Sequence, residues 1–246
     1  MPEITVFPDK EAFYDAAVDL FINQAQESIE KQDRFTAALS GGGTPEPVYA
    51  ALGAEQNRER VNWLKVHLFW GDERHVPPTD PDSNYRMVKE ALLDKVPIPD
   101  ENVHRVPAEM DVRLAAFSYE EELRGFFKGE WPRFNLVLLG MGVDGHTASL
   151  FPHSAGLNEE NRWFIANYAP ERETWRLTLT KNAINAAKLV VVLVHGDSKA
   201  QMINDVLTGP NLPQEKPIQL ISPEDGKLVW LLDSEAASLL PSKLIS

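Results

Sequence analysis

Short apolar runs alternate along this chain with stretches of helical apolar spacing, and several of the runs break directly into glycine or charged residues. Glu3–Phe7, Phe35–Leu39, Val66–Trp70, Phe134–Leu139, Trp175–Thr180, Lys188–His195 and Lys227–Leu232 read as strands. Lys10–Lys31 carries Phe13, Ala17, Leu20, Phe21, Ala25 and Ile29 at helical spacing. Glu46–Leu52, Ser83–Val96 with Ser83 or Asp82 as its cap, Asp111–Phe127 and Asp197–Leu207 read as further helices, the last ended by Gly209-Pro210. A short helix is expected between Trp175–Thr180 and Lys188–His195, and another after Leu232. Such alternation restricts the chain to an α/β fold with a mostly parallel sheet covered by helices. No linker-like stretch or internal repeat divides residues 1–246, so a single domain is expected.

Composition narrows the partners. The net charge is −13, from 24 basic and 37 acidic residues, which argues against nucleic acid and anionic membranes. A small anionic ligand is still compatible, because it needs only one or two local cations and some N–H groups. The chain has no cysteine, hence no disulfide, zinc–thiolate site or cysteine nucleophile. Met1–Asp9 lacks the basic and apolar regions of a signal peptide, and the apolar run Leu189–Val194 is too short to span a bilayer. A cytoplasmic protein, monomeric or weakly dimeric, is expected.

The most informative stretch is residues 138–152. The strand ending at Leu139 breaks into Gly140, Gly142 and Gly145, with Asp144 and His146 two residues apart. Glycine lets backbone approach a ligand closely, and histidine moves protons near neutral pH. An acid–base pair is thus held where open α/β sheets bind ligands. Gly140-Met-Gly142-Val-Asp-Gly145 also matches the dinucleotide fingerprint, but Pro152 would stop the long helix that fingerprint requires.

Two other loops carry chemistry. Ser40-Gly41-Gly42-Gly43-Thr44-Pro45 follows a strand and opens a helix, with Thr44 suited to the cap and Pro45 to the first turn. Its N–H groups favour a phosphate or carboxylate; the plain alternative is a tight turn without a ligand. No lysine follows as in a Walker loop. Asp72-Glu73-Arg74-His75 places four ionisable residues after an apolar strand, which suits a cleft wall or a solvated loop of local ion pairs. A metal on Asp72, Glu73 and His75 is disfavoured, because adjacent positions do not converge easily. Arg176 and Lys199 read, on their own, as surface charges. His67, His104 and His195 lack motifs and are taken as structural, and His153 as a loop residue.

Together, Ser40–Pro45, Asp72-Glu-Arg74, Asp82-Ser-Asn-Tyr-Arg86, Gly140–Pro152, Arg176–Thr180 and Gly226–Asp233 resemble the 6-phosphogluconolactonases, in order over nearly the whole chain. The resemblance implies an isomerase-like, modified Rossmann topology and hydrolysis of 6-phosphogluconolactone to 6-phosphogluconate. It implies His146 as general base, and Asp144 orienting the imidazole or touching substrate hydroxyls. Ser40, Gly41, Gly42, Gly43, Thr44, Asp72, Arg74, Arg176 and Lys199 would bind substrate and its phosphate, with no metal and no organic cofactor. Oxyanion donors would come from N–H groups around Gly42–Thr44 or Gly142–Gly145, or from Arg74. Glucosamine-6-phosphate isomerase/deaminase is similar at the glycine loop, at Asp72 and at Asp144-Gly-His146, but carries a catalytic glutamate where this chain has Phe151. A non-catalytic sugar-phosphate sensor is a third expectation.

Overall fold

The computed structural model describes residues 2–244; Met1, Ile245 and Ser246, included in the expected domain, lie outside the described residues. Strand β1 (Glu3–Phe7) leads to helix α1 (Lys10–Gln32), β2 (Phe35–Leu39), α2 (Glu46–Leu52), α3 (Glu55–Arg58), β3 (Val66–Trp70) and β4 (Asp72–Arg74). Next come α4 (Asn84–Ala91), β5 (Val103–His104), α5 (Val112–Phe127) and β6 (Leu136–Leu139). The chain continues through β7 (Phe164–Ala169), β8 (Thr174–Leu179), α6 (Lys181–Asn185), β9 (Leu189–Val194), α7 (Ala200–Thr208) and β10 (Lys227–Asp233).

Seven strands form one sheet in the order β1-β10-β9-β6-β2-β3-β5, and every pairing in it is parallel. Every residue of β2, β6 and β9 is buried, as expected of parallel strands covered on both faces. This is why they read as unbroken apolar runs. On one face, α1 buries Phe13, Ala17, Val18, Phe21, Ile22 and Ala25. Asp9 starts that helix by accepting the Ala12 N–H at 2.9 Å, and Asp33 ends it in the left-handed region at φ 58°.

Three strands escape the sequence reading. β4, β8 and β7 form a separate antiparallel sheet, and β5 is only two residues long. β4 is Asp-Glu-Arg, too charged to register as a strand. β7 has Asn167 at a buried position. That side chain donates to Ser149 O (2.9 Å) and Ser154 Oγ (3.0 Å) and accepts from Gly156 N (3.0 Å). It therefore anchors the loop that follows His146 instead of packing as a hydrophobe.

Several bounds also shift. Ser83 caps α4 as expected, accepting the Arg86 N–H at 3.2 Å, but the helix ends at Ala91 and a 3₁₀ turn, Leu93–Lys95, replaces its last turn. The helix expected from Asp197 begins at Ala200, after a 3₁₀ turn. The expected terminal helix is the 3₁₀ turn Ser242–Leu244. β6 starts at Leu136, and before it Asn135 is tied to β2 through its side chain: Thr36 N and Oγ1 both donate to Asn135 Oδ1 at 2.9 Å.

The sheet order positions the site. β2 and β6 are neighbours, but β2 runs on through α2 to β3 on one side, while β6 leads eventually to β9 on the other. Their carboxyl ends therefore open a crevice, the place where such sheets hold ligands. The glycine loops 40–45 and 140–147 are its two lips.

Candidate active site

The first lip is built around Ser40. Tyr49, fully buried on α2, accepts the Ser40 N–H at 3.2 Å and donates to its carbonyl at 2.9 Å. Beyond that anchor, the N–H groups of Gly41, Gly42, Gly43 and Thr44 make no hydrogen bond among the described residues. Gly42 lies at φ 97°, where side-chain-bearing residues are strained. Thr44 does not cap α2; Pro45 occupies the cap position and no side chain bonds the helix start.

The second wall comes from β4, whose residues divide by role. Asp72 accepts from Ser149 Oγ at 2.7 Å, and its backbone carbonyl accepts from Asn84 Nδ2 at 2.9 Å. Arg74 donates to the Asp82 carbonyl at 2.6 Å. Both line the cleft. Glu73 faces inward and accepts the N–H groups of Arg74 (2.7 Å), Asn84 (2.8 Å) and Tyr85 (2.8 Å). Burial pushes its carboxyl up, against those hydrogen bonds. His75 turns away to Met110 O at 2.8 Å. Asp72, Glu73 and His75 thus diverge, and no group of three or more His, Asp or Glu side chains among the described residues is arranged to hold a metal.

The His146 turn closes on itself. Gly142 N–H donates to the His146 carbonyl at 2.8 Å and Gly145 N–H to Gly142 O at 3.1 Å, with Gly145 at φ 78°. No helix follows; Thr147 and Leu150 form a bridge instead. His146 Nδ1 is in short contact with Asp144 Oδ1, which also accepts the His146 N–H at 3.2 Å. An ionised carboxylate accepts only, so in the neutral imidazole Nδ1 carries the proton and the Nε2 lone pair stays free. Nε2 has no protein partner among the described residues, and His146 lines the cleft. The Phe151 ring lies 4.6 Å from the imidazole, tilted by 31°.

The third wall carries charge. Arg176 on β8 stands opposite Arg74 on β4, held by Thr174 Oγ1 at 3.0 Å and Trp175 O at 3.2 Å. Lys199 precedes α7. Burial, and then the neighbouring Arg74, lower the Arg176 value. Burial lowers that of Lys199, with Asp144 opposing and Arg172 adding to the fall. Like charges are thus packed together in a protein of net charge −13.

The structure gathers Ser40–Thr44, Asp72, Arg74, His146, Arg176 and Lys199 around one cleft of about 240 Å³, with Asp144 behind the histidine. Sequence reasoning missed Arg172, Ser149 and the buried Asn84 side chain, which also line it. A larger hollow of about 710 Å³, at the opposite ends of the strands near Arg34, Arg133 and Lys188, contains no histidine.

Fold and cleft together define an α/β protein whose sheet-end site joins an imidazole–carboxylate pair to free N–H groups and clustered cations. The chain belongs to the glucosamine-6-phosphate isomerases/6-phosphogluconolactonase family, whose profile matches residues 8–230. It is 41% identical over 241 residues to the 6-phosphogluconolactonase of a Nostoc species, covering 96% of this chain and 98% of that protein. The Synechocystis 6-phosphogluconolactonase is 41% identical over 243 residues, covering 97% and 98%. Among solved structures, the 6-phosphogluconolactonase of Trypanosoma brucei superposes with a TM-score of 0.86 at 29% identity, covering 98% of this chain and 99% of that one. A monomeric glucosamine-6-phosphate deaminase, at 19% identity and a TM-score of 0.81 over 96% and 99% of the two chains, shares the fold.

Two predictions concern the His146–Asp144 pair itself. A Cβ on Gly142 would sit 2.1 Å from His146 Nδ1 and 2.3 Å from Asp144 Oδ1. Gly142→Ala should therefore part the two side chains, and the downfield Nδ1 proton resonance expected of the parent should vanish; its survival would refute the packing argument. Asp144 is held at about 2 against an ordinary 3.8: burial alone would raise it, but the hydrogen bond and charge of His146 outweigh burial. A depressed native value stabilises the fold above the unfolded pKa and ceases to as pH falls through the native one. The stability difference between parent and Asp144→Asn should hold near neutral pH and shrink between about pH 4 and about pH 2, as followed by denaturant melts.

Proposed function

We propose that this protein hydrolyses 6-phospho-D-glucono-1,5-lactone to 6-phospho-D-gluconate. The observation that carries this reading is one arrangement: His146, held from behind by Asp144, faces a cleft whose other walls are unused N–H groups and cations. The relatives named as 6-phosphogluconolactonases support it over most of both chains. The phosphate is assigned to Arg176, Lys199 and the Gly41–Thr44 amides, which would hold one end of the substrate. Fixing that end positions the lactone carbonyl at the other, and positioning is a large share of catalysis.

His146 Nε2 then takes a proton from water as the oxygen attacks C1, and the C1–ring-oxygen bond breaks. The same nitrogen returns the proton to the departing ring oxygen, leaving an alcohol and a carboxylic acid that loses its remaining proton to solvent. Asp144 keeps the proton on Nδ1 and stabilises the imidazolium. Gly142 and Gly145 N–H groups are already spent inside their own turn. With the Gly41–Thr44 amides assigned to the phosphate, the oxyanion role falls to Arg74, which lines the same cleft. A lactone carbonyl is electrophilic enough that no step is routed through a metal or organic cofactor. The proposal also places the enzyme in the cytoplasm as a monomer or weak homodimer; no helix among the described residues is long and apolar enough to cross a membrane.

His146→Ala should lower kcat by roughly 10²–10⁴-fold with the fold intact, measured on freshly made lactone after subtracting spontaneous hydrolysis. Near-parental turnover would sink the assignment. Arg176→Ala and Lys199→Ala should mainly raise KM, each by the equivalent of about 1.5–3 kcal/mol, because phosphate bound equally in ground and transition states is uniform binding. Equal kcat/KM for gluconolactone and its 6-phosphate would overturn the phosphate assignment. Phe151 occupies the place of the isomerase glutamate and packs on the imidazole. It cannot relay a proton, so the parent protein should release no ammonia from glucosamine 6-phosphate. Multiple turnovers in that assay would show that Phe151 does not exclude the deaminase chemistry.

A further inference from the structure

Arg172 sits at the tip of the hairpin joining β7 to β8, on a 3₁₀ turn closed by Glu173 at φ 48°. Its neighbours are unusual for a tip residue. One guanidinium nitrogen lies 3.9 Å from Asp144 Oδ2, and the guanidinium carbon lies 5.1 Å from the centre of the Phe151 ring. Phe151 in turn packs on the imidazole, and the other oxygen of Asp144 bonds Nδ1. Arg172 therefore approaches both groups that flank His146. Arg74 and Arg176, by contrast, are tied by hydrogen bonds to their own segments. The Arg172 side chain, about half exposed, makes no hydrogen bond among the described residues, and its charge meets Asp144 and Phe151 instead.

We propose that Arg172 is a positioning residue of the catalytic pair, acting through Asp144 and Phe151. The inference rests on the lactonase reading of the site. A carboxylate with one free oxygen can rotate toward Lys199, whose charge also acts on it. A cation at Oδ2 opposes that rotation and leaves Oδ1 in line with Nδ1. The cation over the Phe151 face, 5.1 Å from its centre, opposes swinging of that ring away from the imidazole. Two other roles compete. As a solvated surface charge, Arg172 would contribute nothing measurable. As a phosphate ligand, it would matter only for the phosphorylated substrate.

The test uses Arg172→Met, which keeps length and loses charge, and Arg172→Lys, which keeps charge and loses the plane. With saturating 6-phosphogluconolactone, Arg172→Met should lower kcat roughly ten- to a hundredfold at little changed KM, and Arg172→Lys should lie between it and the parent. The same fold loss should appear with unphosphorylated gluconolactone. In an Asp144→Asn background, Arg172→Met should cause little further loss, since the group it acts through is gone. An effect confined to KM for the phosphorylated substrate would overturn the proposal in favour of a phosphate ligand. Full multiplicativity with Asp144→Asn, or parental kinetics, would overturn it outright. The Nδ1 proton resonance of His146 gives a readout independent of turnover: it should exchange faster in Arg172→Met. If the parent lacks lactonase activity, the function reading fails, while the resonance still decides whether Arg172 steadies the pair.

Discussion

The site depends on two strands lying side by side. β2 and β6 pair in parallel through Ala37↔Leu136 and Ala38↔Val137, and the Thr36–Asn135 side-chain bonds extend that contact beyond the ladder. Parallel pairing makes both strands end at the same level. The chain then leaves them in opposite directions, so nothing covers the gap between. One end supplies unused amides and the other an imidazole with its carboxylate. Without the shared level, the unused amides and the imidazole would not open onto one cleft.

Electrostatics divides the molecule. Its surface as a whole repels anions, with a net charge of −13, yet Arg74, Arg172, Arg176 and Lys199 converge on one cleft. Their mutual repulsion is partly contained because Asp72 and Asp144 stand among them, each bonded to a neutral or titratable neighbour and not to a cation at hydrogen-bond distance.

What could be read from the residues follows from which interactions are local. Continuous apolar runs announce central parallel strands, because both faces are buried; β2, β3 and β9 appear where expected. Asp144 and His146 lie in one turn, so their partnership is legible from spacing. Arg176 and Lys199 needed the family resemblance, since their approach to the glycine loop depends on long-range pairing. Of the second sheet only β8 was legible, as the strand expected over Trp175–Thr180, and its partners were hidden for a physical reason. β4 is charged because two of its residues face the cleft and the third clamps α4, and β7 carries a buried asparagine that serves a neighbouring loop. With β7 unseen, Arg172 at its hairpin had no predicted address. Thr44 looked like a cap because its type and position fit, but the loop turns one residue later and Pro45 takes the place.

Gly142 and the His146–Asp144 pair occupy what is nearly a single volume, with the imidazole nitrogen and the carboxylate oxygen filling the space a methyl group would take. Such sharing orders the history available to a lineage. While histidine and aspartate are both present, position 142 admits no side chain, however weak the demand for activity. Because each partner alone lies within 2.3 Å of that methyl position, only the loss of both empties the volume and releases the constraint. A copy of this chain drifting out of enzymatic service would therefore shed its histidine and aspartate first and its glycine afterwards. A retained Gly142 beside an altered pair would mark a recent departure.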